Sequence, residues 1–232
     1  MMLGLLSDAH GHIAALRRGL ALLQAAGAEQ IVFLGDAVGY VPDPGVVTAL
    51  RELGIAAVRG NHDEMMLRGD ASAERRQIYR HDETARQLNS DELAFVAAWP
   101  TERRLRAGRY DCLLVHGSPS APLNGYIYPD TDLAPFKDVD ADVVFMGHTH
   151  HPFIRAEHGK LFVNVGSCGL PREAGRRASA CLFDAATGEA KILRYSIAAE
   201  AAETLARFDL DAGVVKLLTE AITLNPDNPN DI

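Results

Sequence analysis

Cysteine is scarce in this chain and tryptophan nearly absent, with three Cys and one Trp among 232 residues. Cys112, Cys168 and Cys181 are odd in number and widely spaced, which excludes both a disulfide framework and a zinc-ligand spacing. They read as buried or half-buried thiols of a reducing compartment. No apolar run is long enough to span a bilayer. Residues 1–7 are apolar but few, lack a basic flank and lead straight into Asp8, so they read as a buried strand and not as a signal peptide. The expected location is therefore cytoplasmic. Basic charge is also in short supply: 23 Lys+Arg stand against 31 Asp+Glu, a formal net charge of −8. That balance argues against a nucleic-acid polymer or an anionic membrane as partner. It leaves a small anionic substrate open, because bound divalent cations reverse the local charge of an acidic site.

What is present is ordinary globular material, 47% hydrophobic and 23% charged, long enough to bury a sizeable core. Residues 3–6 read as a strand, and Ile13, Leu16, Leu20 and Leu23 then recur at helical spacing. Residues 31–34 form a second apolar run, Pro44 opens a helix continued by Val46, Val47 and Leu50, and residues 55–58 form a third strand. This β-α-β-α-β order predicts a parallel sheet with helices packed on it. Residues 64–99 are charged and helical in pattern, with a helix start at Ser90, Asp91 and Glu92; they read as a helical insertion placed to cap a site. Strands resume at 110–115 and 143–146, and residues 161–165, 180–184 and 190–195 read as a meander or hairpins with a turn at 186–188. The expected organisation is one domain over residues 1–197 with C-terminal helices at 198–224 packed on it. A frayed tail is expected at 225–232.

The chemistry lies at the strand ends. Ser7-Asp8-Ala9-His10 follows the first strand, Gly35-Asp36 the second and Gly60-Asn61-His62-Asp63 the third. His116-Gly117 follows Val115, and Gly147-His148-Thr149-His150 follows Met146. In open α/β sheets ligands bind beyond the carboxyl ends of the strands, so these distant residues can converge. Imidazole with carboxylate suits manganese, iron, zinc or nickel, whereas an all-oxygen set suits magnesium or calcium. Seven potential ligands are too many for one tetrahedral ion and suit two ions sharing a bridging carboxylate. Two metals about 3.5–4 Å apart generate a hydroxide near neutral pH and clamp both oxygens of an in-line displacement at phosphorus. Gly35, Gly60, Gly117 and Gly147 flank ligand positions, where backbone must turn tightly or approach closely.

The set D-x-H, G-D, G-N-H-D, H-G and G-H-T-H, in this order from Asp8 to His150, resembles the calcineurin-like metallophosphoesterase superfamily. It is most similar to the compact prokaryotic branch related to diadenosine tetraphosphatases and small phosphodiesterases. The resemblance implies an α/β (α+β) fold, a four-layer αββα sandwich of two mixed β-sheets flanked by helices. It further implies that Asp8, His10 and His150 hold one divalent transition metal ion, that Asp36 bridges, and that Asn61, His116 and His148 hold a second. Manganese is the leading candidate, with iron, zinc or nickel admitted by the same donors. His62 would serve as general acid or as stabiliser of the phosphoryl oxygens, while a metal-bridging hydroxide attacks phosphorus. The implied activity is that of a phosphoesterase acting on small phosphodiesters, phosphoanhydrides or nucleotides.

One departure bears on the substrate. Protein serine/threonine phosphatases of this superfamily carry G-D-x-V-D-R-G, whereas this chain has Gly35-Asp36-Ala37-Val38-Gly39-Tyr40. Gly39 replaces the aspartate that orients the catalytic histidine, and Tyr40 replaces a phosphate-binding arginine, which counts against a phosphoprotein substrate. The partner of His62 is left unassigned, Asp63 being merely adjacent. Tyr40 could stack on a base, the segment with Tyr126 and Tyr128 could line the same cleft, and Arg172 could pair with phosphate oxygens as a fork. His12, His81, His151 and His158 fit no motif position and read as structural or surface residues. Two rivals from other classes stand beside the enzyme reading: a nucleotide-binding sensor with little turnover, and a protein-binding scaffold on the same fold.

Overall fold

The central strand β1 (Met2–Leu6) is apolar throughout because both of its faces are covered. Leu3 and Leu5 point into the space between two sheets, while Leu6 packs under helix α1 (Ile13–Ala25). The computed structural model describes residues 1–225. β1 pairs in parallel with β2 (Gln30–Phe33), and β2 with the short β3 (Ala56–Ala57), α1 and α2 (Gly45–Glu52) being the crossovers. Two antiparallel strands, β9 (Ala178–Asp184) and β10 (Glu189–Tyr195), complete this sheet on the other side of β1, in the order β10-β9-β1-β2-β3.

The second sheet has the order β4-β5-β6-β8-β7. Its parallel core is β5 (Tyr110–Val115), β6 (Val143–Met146) and β8 (Lys160–Asn164), with β4 (Glu102–Ala107) and β7 (Phe153–Glu157) antiparallel at the edges. The fold is thus the expected α/β sandwich of two mixed sheets flanked by helices. Leu3, Leu5, Val32 and Leu34 of the first sheet meet Leu114, Phe145 and Val163 of the second in a common inner core. The outer face of the second sheet packs under Ile127, Leu133 and Phe136, carried by an irregular segment with one 3₁₀ turn at Ala134–Phe136.

Between β3 and β4 run four short helices, α3 (Asn61–Arg68), α4 (Ala73–Tyr79), α5 (His81–Gln87) and α6 (Ser90–Ala97). The start of α6 is set by Asn89, whose Oδ1 accepts from the N–H groups of Asp91 and Glu92 while Glu92 Oε2 accepts from the Asn89 N–H. Helices α7 (Ala198–Arg207) and α8 (Ala212–Leu224) pack on each other, and Leu210, Val214 and Leu218 cover Val41 and Leu170 beside the site. Of the tail expected at 225–232, residues 226–232 lie outside the described residues. Asn225 is anchored: its Nδ2 donates to the Gly175 carbonyl and its own carbonyl accepts from Ser196 Oγ, both at 2.7 Å. No helix among the described residues is long and apolar enough to cross a membrane.

Candidate metal centre

The loops that leave β1, β2, β5 and β6 at their carboxyl ends all open onto one side of the sandwich. Their backbone is unusual: Asp8 (φ 57°), His10 (51°), Asp36 (58°), Tyr40 (67°), His148 (66°) and His150 (60°) are all left-handed. Each such residue costs on the order of 1–3 kcal/mol and persists where the surroundings over-determine it, a pattern found at functional sites. Gly60 shows how close the backbones come, since a side chain there would collide with the Asp36 carboxylate. Asn164, at the end of β8, ties down the loop bearing His148 and His150: its Nδ2 donates to the Gly147 carbonyl at 2.7 Å and to Thr149 Oγ1 at 3.0 Å.

The ring orientations decide what meets in the middle. His10 Nδ1 donates to the Val38 carbonyl (3.2 Å), His116 Nδ1 to the Leu34 carbonyl (2.8 Å) and His150 Nδ1 to the Leu170 carbonyl. A neutral imidazole has one N–H, so His10 and His150 present a bare Nε2, and His116 does so once its second proton is displaced. Those bare nitrogens face other acceptors. His10 Nε2 and His150 Nε2 are 3.1 Å apart, and His150 Nε2 is 3.2 Å from Asp8 Oδ1. Asp8 Oδ1 is buried with no hydrogen-bond partner. On the other side, His116 Nε2 lies 3.1 Å from Asn61 Oδ1, 3.1 Å from His148 Nδ1 and 3.3 Å from Asp36 Oδ2. Asp36 Oδ2 is also 3.7 Å from His10 Nε2, so it stands between the two groups.

Lone pairs aimed at one another without protons repel unless a cation lies among them. Ions bound at about 2.0–2.2 Å hold their donors about 3.0–3.5 Å apart, the spacing seen here. Asp8, His10 and His150 form one set of potential ligand atoms within 4.8 Å of one another, and Asp36, His116 and His148 form a second. The carbonyl behind each imidazole is the outer support that fixes ring orientation in metal sites. The donor set therefore fits divalent transition metal ions.

The same crowding governs protonation. Burial holds His10 well below its ordinary value, and burial together with the neighbouring His116 lowers His148 to about 4, so both are neutral as ligands must be. Burial works to raise the Asp8 and Asp36 carboxyls, but the surrounding histidines outweigh it and hold both below the usual carboxylate range. Burial likewise opposes a charge on His116, yet Asp36 and Asp8 raise it to about 10. In the metal-free protein this proton does the work of a cation. Its stabilisation is whole below pH 6.5 and is lost as the pH rises through about 10. Metal must displace it, so loading at pH 7 will release about one proton per chain. Calorimetry in buffers of different ionisation enthalpy measures this, and zero release would mean that His116 is already neutral.

The remaining residues divide into those brought to the centre and those turned away. His62 is buried beside it, its N–H donating to Asp36 Oδ1 at 2.8 Å, and His10, Asp36 and His62 offer atoms within 4.8 Å of one another. Asp63 is not its partner. The Asp63 carboxylate faces the other way and accepts from the N–H groups of Gly60, Asp36, Ala37 and Val38. The ring nitrogen His62 Nδ1 instead meets His81 Nε2 at 3.1 Å. No motif spacing marks His81; the hint in the sequence is that Gly39 leaves His62 without a carboxylate. Tyr40 packs edge-on to His10 and tilted against His62, both at 4.9 Å between ring centres, and its hydroxyl accepts from Arg172 Nη2 at 2.8 Å. The two residues expected to face substrate thus form one wall of the site. Burial raises the Tyr40 phenol to about 12 and keeps it neutral. Tyr126, 59% exposed, lies over the His148 ring at 4.2 Å, with Tyr128 nearly parallel to it.

The chain matches the calcineurin-like phosphoesterase superfamily domain over residues 1–188. It is 29% identical over 215 residues to an uncharacterized protein of Methanocaldococcus jannaschii, a span of 83% of this chain and 86% of that one. Among solved structures it is similar to a metallophosphoesterase from Sphaerobacter thermophilus, with a TM-score of 0.77 and 28% identity over 95% of this chain and 99% of the other. It also shares its fold with a hypothetical protein from Pyrococcus horikoshii, with a TM-score of 0.79 and 20% identity over 94% and 97% of the two chains.

Proposed function

The chain belongs to the calcineurin-like phosphoesterase superfamily, and on that footing we propose that it is a hydrolase of small phosphodiesters, phosphoanhydrides or nucleotides working with two divalent metal ions. The observation that carries the reading is the convergence of metal-type donor atoms: Asp8 Oδ1 with the Nε2 atoms of His10 and His150, and Asp36 Oδ2 with His116, Asn61 and His148. Asp8, His10 and His150 would hold one ion, Asn61, His116 and His148 the other, and Asp36 both. Such a pair supplies positive charge for the phosphoryl oxygens and a nucleophilic water near neutral pH. The protein's own groups do the rest. Arg172, braced by Tyr40, offers guanidinium donors to a phosphate, and the low-lying carboxylates remain ionised to keep the ions in place. His62, beside Asp36, is the group free to address an oxygen of the substrate.

The class is tested by hydrolysis of a chromogenic phosphodiester with chelator-stripped protein, with and without manganese. Activity that returns with metal supports the reading. Bound metal with stoichiometric nucleotide binding and negligible turnover would favour the sensor, and absence of both activity and metal would sink the proposal. Within the active protein, His62→Ala will leave the metal content unchanged and lower kcat by roughly 10²-fold or more. Elemental analysis and steady-state rates check this together, and an unchanged kcat would remove His62 from the chemistry.

A further inference from the structure

His81 reaches the site from outside every motif that builds it. It opens α5 directly after Arg80, whose left-handed backbone (φ 57°) breaks the chain away from α4. It is 2% exposed, and its ring lies 5.2 Å from that of His62 at 74°. Tyr79 packs edge-on against His62 at 4.5 Å, so His62 is held by two aromatic groups, one on each side of Arg80 at the α4–α5 break. Room for this comes from Gly39. A Cβ at that position would stand 2.5 Å from His62 Nδ1 and 3.2 Å from His81 Nε2, and the backbone there (φ 101°) excludes other residues. Where the protein phosphatases of the family have an aspartate, this chain has open space, and a histidine from the helical segment fills it.

The hydrogen bond between the two rings holds one proton, and the rest of His81 says whose it is. His81 Nδ1 is buried without a hydrogen-bond partner. A buried N–H with no acceptor is among the rarest and costliest arrangements in proteins, whereas a bare acceptor is better tolerated. The single His81 proton therefore sits on Nε2 and is donated to His62 Nδ1. That makes His62 Nδ1 an acceptor and leaves the His62 proton on Nε2, the nitrogen remaining for the site.

We propose that His81 is a positioning residue which locks His62 in its Nε2–H form, so that His62 acts on substrate as a neutral hydrogen-bond donor to a phosphoryl oxygen and not as a proton-transferring acid. The inference rests on the phosphoesterase reading and chooses between the two roles that reading leaves to His62. A neutral imidazole that gave up its last proton would become an anion, so stabilisation by donation is the chemistry this tautomer performs. A positioned donor of this kind acts on charge as it develops and needs no net proton transfer.

The test has two parts. In zinc-loaded protein labelled with ¹⁵N-histidine, with signals assigned by His62→Gln and His81→Gln, the Nε2–H pattern is expected for both rings. An Nδ1–H or doubly protonated His62 would overturn the proposal, whatever the turnover of the enzyme. In kinetics, His81→Leu removes the donor while His81→Gln supplies an amide N–H in its place. The leucine variant should lose about 10- to 100-fold in kcat with KM and metal content unchanged, by the same factor for good and poor leaving groups. The glutamine variant should stay within about threefold of the parent. Equal rates for the two variants, or a loss that grows as the leaving group worsens, would refute it. Inactivity of the parent toward every phosphoester would instead refute the function, and the tautomer would still be read from the spectra.

Discussion

On the proposed function, Asp36→Asn will abolish nearly all phosphoester turnover, a fall on the order of 10³-fold or more, together with the binding of two metal ions. The substitution is chosen because it separates charge from architecture. Asp36 Oδ1 accepts the His62 N–H at 2.8 Å, and an amide oxygen can keep that bond. Oδ2, which stands 3.3 Å from His116 Nε2 and 3.7 Å from His10 Nε2, becomes an amide that donates where a cation needs an acceptor. The His116 imidazolium of the metal-free protein loses its leading counter-charge at the same time. Elemental analysis and rates on one preparation measure both effects. A variant that retained two ions per chain and full turnover would remove Asp36 from the bridging position.

Asp63→Ala is expected to lower stability by roughly 3–5 kcal/mol while leaving the side chain of every proposed ligand in place. Asp63 is fully buried and serves four backbone donors: Oδ2 takes the N–H groups of Asp36 (2.8 Å) and Gly60 (2.9 Å), Oδ1 those of Ala37 (2.9 Å) and Val38 (3.3 Å). Alanine leaves those donors unpaired in a site with no room for bulk water. Asparagine should fare little better, because either orientation of its amide points an NH₂ group at one of the two donor pairs. Burial and the nearby Asp36 push the Asp63 carboxyl up to about 7, with the backbone donors pulling it back. Urea unfolding of the metal-free variants measures the loss. If the asparagine variant matched the parent in midpoint, the paired-acceptor role would be wrong.

Much of the fold is legible in hydropathy alone. β5 and β6 coincide with the apolar runs at 110–115 and 143–146, and α1 begins at Ile13, where the helical spacing begins. β4 and β7 leave no such trace. β4 is an edge strand whose Arg103, Arg104 and Arg106 are exposed, so its pairing with β5 depends on backbone bonds and leaves no apolar pattern. β7 lies at the opposite edge, with Ile154 39% exposed. Edge strands are only half enclosed, and a half-enclosed strand needs few apolar residues.

The candidate donors of the site are legible in the sequence, because histidine, aspartate and asparagine stand immediately after apolar strands, with glycines where the backbone must crowd. Neighbouring parallel strands end side by side, which pairs Asp8 with Asp36 on the first sheet and His116 with His148 on the second, and the face-to-face packing of the two sheets brings the pairs together. What only the tertiary structure decided is the direction of each ring and the company it keeps. His116 is turned by the carbonyl of Leu34, His150 by that of Leu170 and His10 by that of Val38, and none of these carbonyls differs chemically from any other. Asp63, next to His62 in the chain, faces the backbone behind it, while His81, 19 residues on, supplies the nitrogen at its side. A residue type announces which bonds it can make, but packing alone settles which partner lies within 3 Å or so of it, and that is why the clustering of the donors could be read in advance and the partner of His62 could not.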